Sequence, residues 1–395
     1  MAEDKLWNRN YVAVCLSSFF LFLVFYMLAV TLPVYVEESL QVGKERIGLV
    51  MTAFILANVV FRPIAGRWLD EWNRKKIVLF SLVLFLVCSV AYSFVHDYYV
   101  LLLLRVAHGI GFGIAATATG AIAVDFVPEH RKGEGIGYFG LFMSLAMVIG
   151  PFIGLSIVEQ YEMNAMFLTC LLFALLALAS GAVLRIPARP AGAAKAGQAV
   201  GWRRYVVEEA IPISLTGTLL AFAYGTISTF LSVYAKEIGF GAIASYFFMV
   251  FAATIVVSRP FTGRRYDRSG PNGLVYGGLL LFAGGMIWLG LAYAPVAFLA
   301  AGAVLGLGYG ALLPSYQTIA IQQSPAHRRG LATGTFFLFF DSGYGIGSSV
   351  LGVVAAHTSY RDMYVLAALI VFASSGVYYL LHHRRANAKT QPQLR

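Results

Sequence analysis

The sequence predicts an all-α polytopic membrane protein with twelve transmembrane helices, arranged as two pseudo-symmetric bundles of six. Three observations support this fold class: the composition, a series of long apolar segments and an internal repeat. Of the 395 residues, 59% are hydrophobic and 12% are charged, whereas soluble domains carry about 25% charged residues. Most of this apolar surface must therefore face lipid or other membrane helices.

The apolar segments are long enough to cross a bilayer. A hydrocarbon core about 30 Å thick requires roughly 20 apolar residues in a helix. The sequence contains twelve such segments, and most of the connections between them are short. The predicted spans are residues 11–36, 47–66, 76–95, 99–127, 135–158, 164–185, 209–235, 243–264, 273–293, 296–321, 331–356 and 362–381.

The internal repeat is clearest in a charged hairpin that occurs once in each half. The first copy reads R-P-I-A-G-R-W-L-D from Arg62, and the second reads R-P-F-T-G-R-R-Y-D from Arg259, 197 residues later. The same offset matches residues 109, 111 and 113 with residues 306, 308 and 310, all of them glycine. Because each half has an even number of spans, both copies enter the membrane from the same side and form parallel repeats.

The domain organisation follows from this repeat. We expect a first six-helix bundle over residues 1–185, a cytoplasmic linker over residues 186–208, and a second bundle over residues 209–395 that ends in a short basic cytoplasmic tail. The linker is rich in Ala, Gly and Pro, carries positive charge and lacks apolar periodicity.

Basic residues indicate how the chain is oriented. With both termini in the cytoplasm, 22 of the 29 Lys and Arg residues fall in cytoplasmic segments and only four in external loops. Membrane proteins show this asymmetry because basic loops are retained on the cytoplasmic side. The net charge of +10 is therefore explained without nucleic acid, and we expect a multi-pass protein of the cytoplasmic membrane, with lipid and a small-molecule substrate as its partners, as a monomer.

Sequence features typical of metal sites, cofactor sites and enzymes are absent. The three cysteines lie inside apolar segments without metal-ligand spacing and are expected to be packing residues. There is no Gly-rich nucleotide loop ending in Gly-Lys-Ser/Thr and no H-E-x-x-H motif. We therefore expect neither an enzyme nor a metal or cofactor site.

Three short motifs add a family resemblance. They are G-x-x-x-D-x-x-x-R-K-K from Gly66, R-V-A-H-G-I-G from Arg105 and G-P-x-x-G from Gly150. Together with the duplication, they resemble the major facilitator superfamily, and within it the drug/proton antiporter branch with twelve helices. The sequence departs from the family pattern at Asn73, where Gly is usual, and at Leu155, where a second Gly follows the Pro element. It departs also at His108, where Gln is common.

The first motif is a candidate gating loop. Asp70 is expected in the turn after Gly66, where a carboxylate can accept hydrogen bonds at a helix start or pair with Arg74. Asp125 can pair with the same arginine. The resemblance implies that this loop latches the two halves in the outward-open state, whereas a generic basic loop and a simple helix-end charge remain the alternatives. The remaining candidates in this group are Lys75, Gly263 and Asp267.

The second motif places two ionisable residues on one face of span four. Arg105 lies about six residues into the span, and His108 follows three residues later, so both point to the same side. Charges at this depth usually face the bundle interior or water. We expect them to handle protons or contact an anion, and the alternatives are an arginine satisfied by backbone carbonyls and a hydrogen-bonded buried imidazole.

Asp341 is the strongest candidate for proton coupling. It lies about ten residues into span eleven, roughly 15 Å deep, near the bilayer midplane. Burial favours the neutral acid, whereas a nearby positive charge favours the carboxylate. Alternating access could therefore let Asp341 take up and release a proton. The alternative is a permanently neutral aspartic acid, hydrogen-bonded to a neighbour such as Ser342.

Two further groups complete the candidates. Gly150, Pro151 and Gly154 can permit close packing and a bend in span five, and the resemblance implies an antiport role for them. Aromatic and polar side chains in the expected cavity helices are candidates for substrate contacts, although any one of them could instead be packed or lipid-facing. They are Tyr26, Tyr224, Tyr309, Tyr316, Gln317, Phe337 and Tyr344.

The resemblance implies a proton-coupled secondary transporter that exports a small organic compound or drug, with the proton gradient as its energy source. An exporter of one specific metabolite, such as a sugar, a lipid intermediate or a metallophore, would use the same architecture. A proton symporter for uptake also remains open, although the Gly150–Pro151 element weighs against it. A receptor or scaffold is disfavoured because it has no need of a buried acid.

Overall fold

The computed structural model describes residues 6–128, 132–186, 205–325 and 328–384. This part of the chain contains twelve helices long and apolar enough to cross a membrane, which confirms the all-α, twelve-span fold class. They are α1 (Arg9–Glu38), α2 (Lys44–Glu71), α3 (Arg74–Ala91), α4 (Tyr98–Asp125), α5 (Lys132–Gln160), α6 (Met163–Val183), α7 (Ile211–Glu237), α8 (Ala244–Ser269), α9 (Pro271–Gly290), α10 (Pro295–Gln323), α11 (Arg329–His357) and α12 (Tyr360–Tyr378).

Helix starts are set by side chains that accept the free backbone N–H groups of the first turn. Asn8 accepts from Tyr11 N at 2.9 Å and so begins α1. Asp97 precedes α4, and its carboxylate accepts from Tyr99 N at 2.8 Å and from Val100 N at 2.9 Å. Proline fills the first turn of α7, α9 and α10, where its missing N–H costs no hydrogen bond.

The charged hairpins differ from the sequence expectation in one respect. Asp70 was expected in a turn, but its backbone lies inside α2, which continues to Glu71, and Asp267 likewise lies inside α8. A hydropathy window detects only the apolar segment of a helix. The backbone hydrogen bonds of the helix continue beyond that segment into the residues with polar side chains. The turn is therefore only the short connection around Asn73 in the first copy and Gly270 in the second.

The chain divides into two compact units. The first consists of Met1–Val42 and Leu49–Gly197, and the second of Gly43–Gly48 and Gln198–Arg395. The boundary in the chain falls in the predicted linker, whose residues 187–204 lie outside the described part. The predicted limits of the two bundles therefore stay a prediction.

Within each unit, the same helices pack together. In the first unit, α1 packs on α4, α5 and α6, and α3 packs on α4 and α6. In the second unit, α7 packs on α10, α11 and α12, and α9 packs on α10 and α12. The pairs correspond one to one when six is added to each helix number, so the sequence repeat is also a repeat of packing.

The matched glycines explain why this packing is close. A Cβ on Gly109 would overlap the carbonyl oxygen of Phe54, and a Cβ on Gly306 would overlap that of Phe251, at the same offset of 197 residues. Small residues at such crossings let two helix backbones touch. The glycine pattern found in the sequence therefore marks the crossing of α4 with α2 and, in the second unit, of α10 with α8.

The second unit also holds the first turn of α2. Lys44 forms an ion pair with Glu237 at the end of α7, and its ammonium nitrogen lies 4.5 Å from the centroid of the Tyr360 ring. The two charged side chains are both partly exposed, so this pair contributes at most about 1 kcal/mol.

Candidate functional site

Arg105 lies completely buried in the first unit, inside a polar network. Its Nε donates to the carbonyl oxygen of Val50 at 3.2 Å, and its Nη1 donates to the hydroxyl of Tyr92 at 3.2 Å. The guanidinium carbon lies 4.1 Å from the centroid of the Phe54 ring, where a cation is attracted by the ring face. None of the ion pairs in the described part of the chain includes Arg105. The arginine thus ties α2 and α3 to α4.

His108 is the second member of this network. Its Nδ1 lies 3.0 Å from the Tyr92 hydroxyl. Because that hydroxyl already accepts a hydrogen bond from Arg105, its own proton points to Nδ1, and the neutral imidazole carries its proton on Nε2. The Nε2 atom is buried and has no hydrogen-bond partner within residues 6–128, 132–186, 205–325 and 328–384.

The sequence did not single out Tyr92, which joins Arg105 to His108. Chain spacing gave no signal for this pairing, because Tyr92 directly follows the last residue of α3 whereas Arg105 lies seven residues beyond the first residue of α4. The arginine satisfied by a backbone carbonyl and the hydrogen-bonded imidazole both match this geometry, and the role of Arg105 and His108 in proton coupling stays a prediction.

The matching positions of the second unit do not carry this network, since Leu289 and Leu305 stand where the first unit has Tyr92 and His108. The position that matches Arg105 is Gly302, and a Cβ there would lie 3.0 Å from the ring of Phe247. Phe247 itself matches Val50, whose carbonyl oxygen binds Arg105 in the first unit. In the second unit, the Phe247 ring therefore occupies the space that the Arg105 side chain occupies in the first unit.

The signature hairpin is held by two basic side chains. Arg74 forms an ion pair with Asp125 and also donates from Nε to the carbonyl oxygen of Leu69 at 3.1 Å. Lys75 donates to the carbonyl oxygens of Gly181 at 3.2 Å and Leu184 at 2.7 Å. A cation at the carbonyl end of a helix is favourable, so Lys75 caps α6.

Asn73 accounts for one departure from the family pattern. Its φ of −67° and ψ of 110° are extended, and its side chain accepts from Lys76 N at 3.2 Å. The matching residue, Gly270, has a φ of 72°, which favours glycine. The first hairpin thus replaces a glycine turn with an asparagine cap.

Other residues of the hairpins carry less information. The side chains of Asp70 and Asp267 lie outside the described part of the structure. Gly66 and Gly263 are described, and a Cβ on either would meet no atom within 4 Å among the described residues. Packing within the units therefore does not require glycine at these positions, and the latch role of the hairpin stays a prediction.

Asp341 lies in the interior of α11 and is half-buried. It follows the first residue of that helix by twelve positions, which corresponds to about 18 Å along the axis. The neighbouring hydroxyl of Ser342 donates to the carbonyl oxygen of Leu338 at 2.7 Å rather than to Asp341. The role of Asp341 in proton coupling and the alternative of a neutral, hydrogen-bonded aspartic acid both stay predictions.

Three of the expected substrate-contacting tyrosines lie together in the second unit. Tyr224 stacks on Tyr309 with ring centroids 4.6 Å apart, and its centroid is 5.8 Å from that of Tyr344. The Tyr344 hydroxyl lies 2.6 Å from the hydroxyl of Ser228. This tyrosine cluster joins α7, α10 and α11, and all three rings are buried.

The remaining cavity candidates lie elsewhere. Tyr316 points toward α12, where its ring centroid is 6.4 Å from that of Tyr378. Gln317 and Phe337 are half-buried in α10 and α11. Tyr26 belongs to the first unit and packs against Phe25 at 4.9 Å. The substrate-contact role of all seven candidates stays a prediction.

The Gly-Pro element of α5 lies against α1. A Cβ on Gly150 would come within 2.8 Å of the Cβ of Tyr26, and one on Gly154 within 3.3 Å of the Cα of Met27. Pro151 lies inside the helix between them. This geometry matches the close-packing reading of the element, and its antiport role stays a prediction.

No group of three or more His, Cys, Asp or Glu residues that could hold a metal ion occurs among the described residues. The three cysteines, Cys15, Cys88 and Cys170, are free and buried, as expected of packing residues.

Two repeated units of six membrane-spanning helices, with ionisable side chains inside the apolar helices, define the class of protein: a secondary transporter. The model of the Major Facilitator Superfamily matches residues 14–341 and 267–395, and the chain belongs to this family. Its members are transporters of small molecules rather than enzymes and need no cofactor.

Relatives share the whole length of the chain at low identity. The chain is 24% identical over 400 residues to the multidrug resistance protein MdtG of Dickeya zeae (strain Ech586), covering 96% of each chain. It is 25% identical over 375 residues to the uncharacterized transporter YhhS of Escherichia coli (strain K12), covering 92% of this chain and 90% of the relative. Among solved structures, a POT family transporter in complex with 5-aminolevulinic acid has a TM-score of 0.80 at 14% identity, covering 95% of this chain and 96% of that one.

Proposed function

We propose that this protein is a proton-driven exporter of small organic compounds, of the multidrug-efflux type, in the cytoplasmic membrane with both termini in the cytoplasm. The observation that carries the proposal is the position of Asp341. Among the twelve helices of the described chain, it is the only acidic residue that lies more than one turn from both ends of its helix. An ionisable group at such a depth is expensive and is usually functional.

The proposed cycle uses the two protonation states of this carboxyl. A half-buried aspartate is stabilised as an anion when water or a positive charge reaches it, and as a neutral acid when it is closed off. Substrate and proton therefore compete for the anionic form. Proton binding releases the substrate outside and permits the return of the empty carrier, and motion consists of rocking one helical bundle against the other.

Other residues have supporting roles in this scheme. The arginine of the Arg105–Tyr92–His108 network positions α2, α3 and α4, and His108 offers a neutral base within the first unit. The Arg74–Asp125 ion pair and the Lys75 cap stabilise the cytoplasmic hairpin in one state of the cycle. In this scheme the rocking motion uncovers the buried rings of Tyr224, Tyr309 and Tyr344, which can then pack against an aromatic substrate.

Two similarities support export of drugs rather than uptake. MdtG, which the chain matches along its length, is named for multidrug resistance. The quinolone resistance protein NorA of Staphylococcus aureus (strain Mu50 / ATCC 700699) is 28% identical over 147 residues, covering 37% of this chain and 38% of NorA. The orientation with cytoplasmic termini rests on the distribution of Lys and Arg residues.

Reconstitution in proteoliposomes tests the proposal. An imposed pH gradient should drive the wild-type protein to move several unrelated dyes, whereas sugars and metallophores should remain in place. Movement of a single compound would instead identify an exporter of one metabolite. Flux in the direction of the proton would identify a symporter, and the absence of flux with every compound would contradict the proposal.

Substitution of the acid tests the mechanism. Asp341→Asn should lose movement driven by the pH gradient yet retain exchange of labelled for unlabelled substrate, since exchange needs no proton. Asp362→Asn is the matched control, because Asp362 is an exposed acid in the first turn of α12. Full gradient-driven transport by Asp341→Asn would remove Asp341 from the coupling step.

A further inference from the structure

The end of α12 carries two adjacent histidines that the transport scheme does not use. After Tyr378 the helix continues as a π-helix over Tyr379–His383, a form that is rare and is frequently found at functional sites. His382 is only 8% exposed, and His383 is half-buried. Each histidine contacts a different neighbouring helix of the second unit.

His382 contacts the last residue of α10. Its Nδ1 lies 2.8 Å from Nε2 of Gln323. An amide nitrogen carries two N–H donors and no acceptor, so Nδ1 must be the acceptor in this hydrogen bond. In this arrangement His382 is the neutral imidazole with its proton on Nε2. A proton added to Nδ1 would face the N–H groups of the amide, so this hydrogen bond would be lost, and another could form only if Gln323 turned its carbonyl oxygen to the ring.

His383 contacts α9 in a different way. Its Nδ1 lies 3.0 Å from the hydroxyl of Tyr276. A phenol can donate to a neutral imidazole and can accept from an imidazolium. This hydrogen bond therefore survives protonation with its direction reversed. The two neighbouring histidines thus differ: one contact is broken by a proton and the other tolerates it.

In the first unit, the end of the matching helix, α6, is capped by a permanently charged side chain. Lys75 matches Asn272, and Gly181 matches Tyr378, at the same offset of 197 residues. Lys75 caps the end of α6 through its ammonium group, whereas in the second unit the Tyr378 hydroxyl donates to Asn272 Oδ1 at 2.8 Å. The position that matches Lys75 therefore carries no cation in the second unit, where the end of α12 makes the Tyr378, His382 and His383 contacts instead.

We propose that the Gln323–His382 contact makes the end of α12 a proton-sensitive joint, closed when His382 is neutral and released when it is protonated. The titratable groups around it are Tyr378, Tyr379, His383 and Arg384 on the same segment, Tyr276 on α9, Tyr316 on α10 and Tyr266 on α8. None of the described hydrogen bonds or ion pairs brings a carboxylate to either imidazole. Among the described side chains, a new positive charge on His382 therefore has no carboxylate partner.

Release of the joint would free the end of α12 from α10. Acidification on the side of the C-terminus then loosens the outer packing of the second unit, while the first unit, closed by Lys75, is unaffected. This gives the transporter a response to proton concentration that is separate from the proton carried by Asp341. The inference rests on the second unit alone and does not depend on the identity of the substrate.

Hydrogen–deuterium exchange of the intact protein in nanodiscs tests the joint. Exchange is followed by mass spectrometry at about pH 8 and about pH 5.5, on either side of the ordinary histidine pKa. The peptide that contains the end of α6 is the internal reference, because it experiences the same intrinsic pH dependence. Relative to that reference, the peptide that contains residues 372–384 should exchange roughly two- to tenfold faster at the lower pH, as the loss of one hydrogen bond between uncharged groups implies.

Variants decide whether His382 is responsible. His382→Leu should remove the acid response, and His383→Leu should retain it. Gln323→Glu should reverse its sign, since a carboxylate accepts from an imidazolium and the joint then closes in acid. An unchanged exchange ratio in the wild type would overturn the proposal, as would an acid response in His382→Leu equal to that of the wild type. Should His382→Leu exchange rapidly already at about pH 8, the sign of the response in Gln323→Glu decides alone.

Discussion

Removal of a single oxygen atom in the first unit should destabilise it strongly. The change is Tyr92→Phe, which preserves the buried ring but deletes the hydroxyl that joins Arg105 to His108. In the wild type, this hydroxyl accepts from Arg105 Nη1 at 3.2 Å and lies 3.0 Å from His108 Nδ1. Tyr92 is 1% exposed, so water cannot replace the lost oxygen without opening the packing of α3 and α4.

The magnitude follows from the two polar atoms that lose their partner. A buried polar group left without a hydrogen bond costs about 1–3 kcal/mol, and more when it is charged, as on Arg105. Together they should lower the free energy of unfolding by about 3–5 kcal/mol, a large share of the 5–15 kcal/mol typical of folded proteins. For a unit of about 190 residues, 1 kcal/mol corresponds to roughly 2–4 °C in Tm, so Tm should fall by about 6–20 °C.

The three buried cysteines offer the assay. All three lie in the first unit, so a dye that fluoresces on reaction with thiols reports when that unit unfolds. Tyr99→Phe is the matched control, because Tyr99 belongs to the same helix as Arg105 and is 63% exposed. Its hydroxyl can be removed at a cost within about 0.5 kcal/mol. If Tyr92→Phe and Tyr99→Phe unfold at the same temperature, the buried hydroxyl does not hold Arg105, and the network has no part in stability.

Three further substitutions separate packing, capping and gating. Gly306→Ala should lower the free energy of unfolding by about 1–3 kcal/mol, because the added methyl group overlaps the carbonyl oxygen of Phe251. Gly376→Ala is the control: its Cβ meets open space, so the change should be neutral or stabilising by up to about 1 kcal/mol. Equal Tm values for the two variants would contradict the close approach of α10 to α8. Lys75→Met should speed hydrogen exchange at the end of α6 by roughly tenfold, since the carbonyl groups lose their cation, and an unchanged exchange rate would show that the cap is not needed. Asp125→Asn should lower stability by less than about 1 kcal/mol, because its ion pair is partly exposed, yet slow transport in proteoliposomes; a large loss of Tm with normal transport would reverse these roles.

The fold could be predicted because the bilayer constrains it strongly. A span must be long and apolar, so twelve segments could be recognised without any knowledge of packing. The duplication supplied a second constraint, since a glycine that recurs after 197 residues marks the same helix crossing in both units. Gly109 and Gly306 illustrate this, because each faces a carbonyl oxygen at the matching position of the neighbouring helix.

Helix ends and side-chain partners could not be predicted in the same way. Asp70 was expected in a turn because hydropathy decreases there, although the helix continues to Glu71. Tyr92 was not singled out because the chain has 22 tyrosines and 30 phenylalanines, and apolar periodicity does not distinguish a network residue from a packed one. The contact of His382 with Gln323 depends on how α10 and α12 meet, which no local pattern records.

The candidate site was predicted residue by residue rather than as an arrangement. Arg105 and His108 were expected on one face, and they do share one hydroxyl partner. The candidate tyrosines were chosen by the helix on which they lie, and within the second unit Tyr224, Tyr309 and Tyr344 come together. Position along a helix can therefore be deduced from the sequence, whereas the neighbour that a side chain faces requires the tertiary structure.

The replacement of Arg105 by Gly302 and Phe247 in the second unit has a consequence for the ancestry of the chain. Two halves of a duplicated sequence stay interchangeable only while each residue fits the packing environment of both repeats. An arginine inserted at Gly302 alone would collide with the Phe247 ring, because the residues that accommodate Arg105 in the first unit have no counterpart there. The two repeats have therefore diverged at this crossing, and these residues can be exchanged between them only as a group.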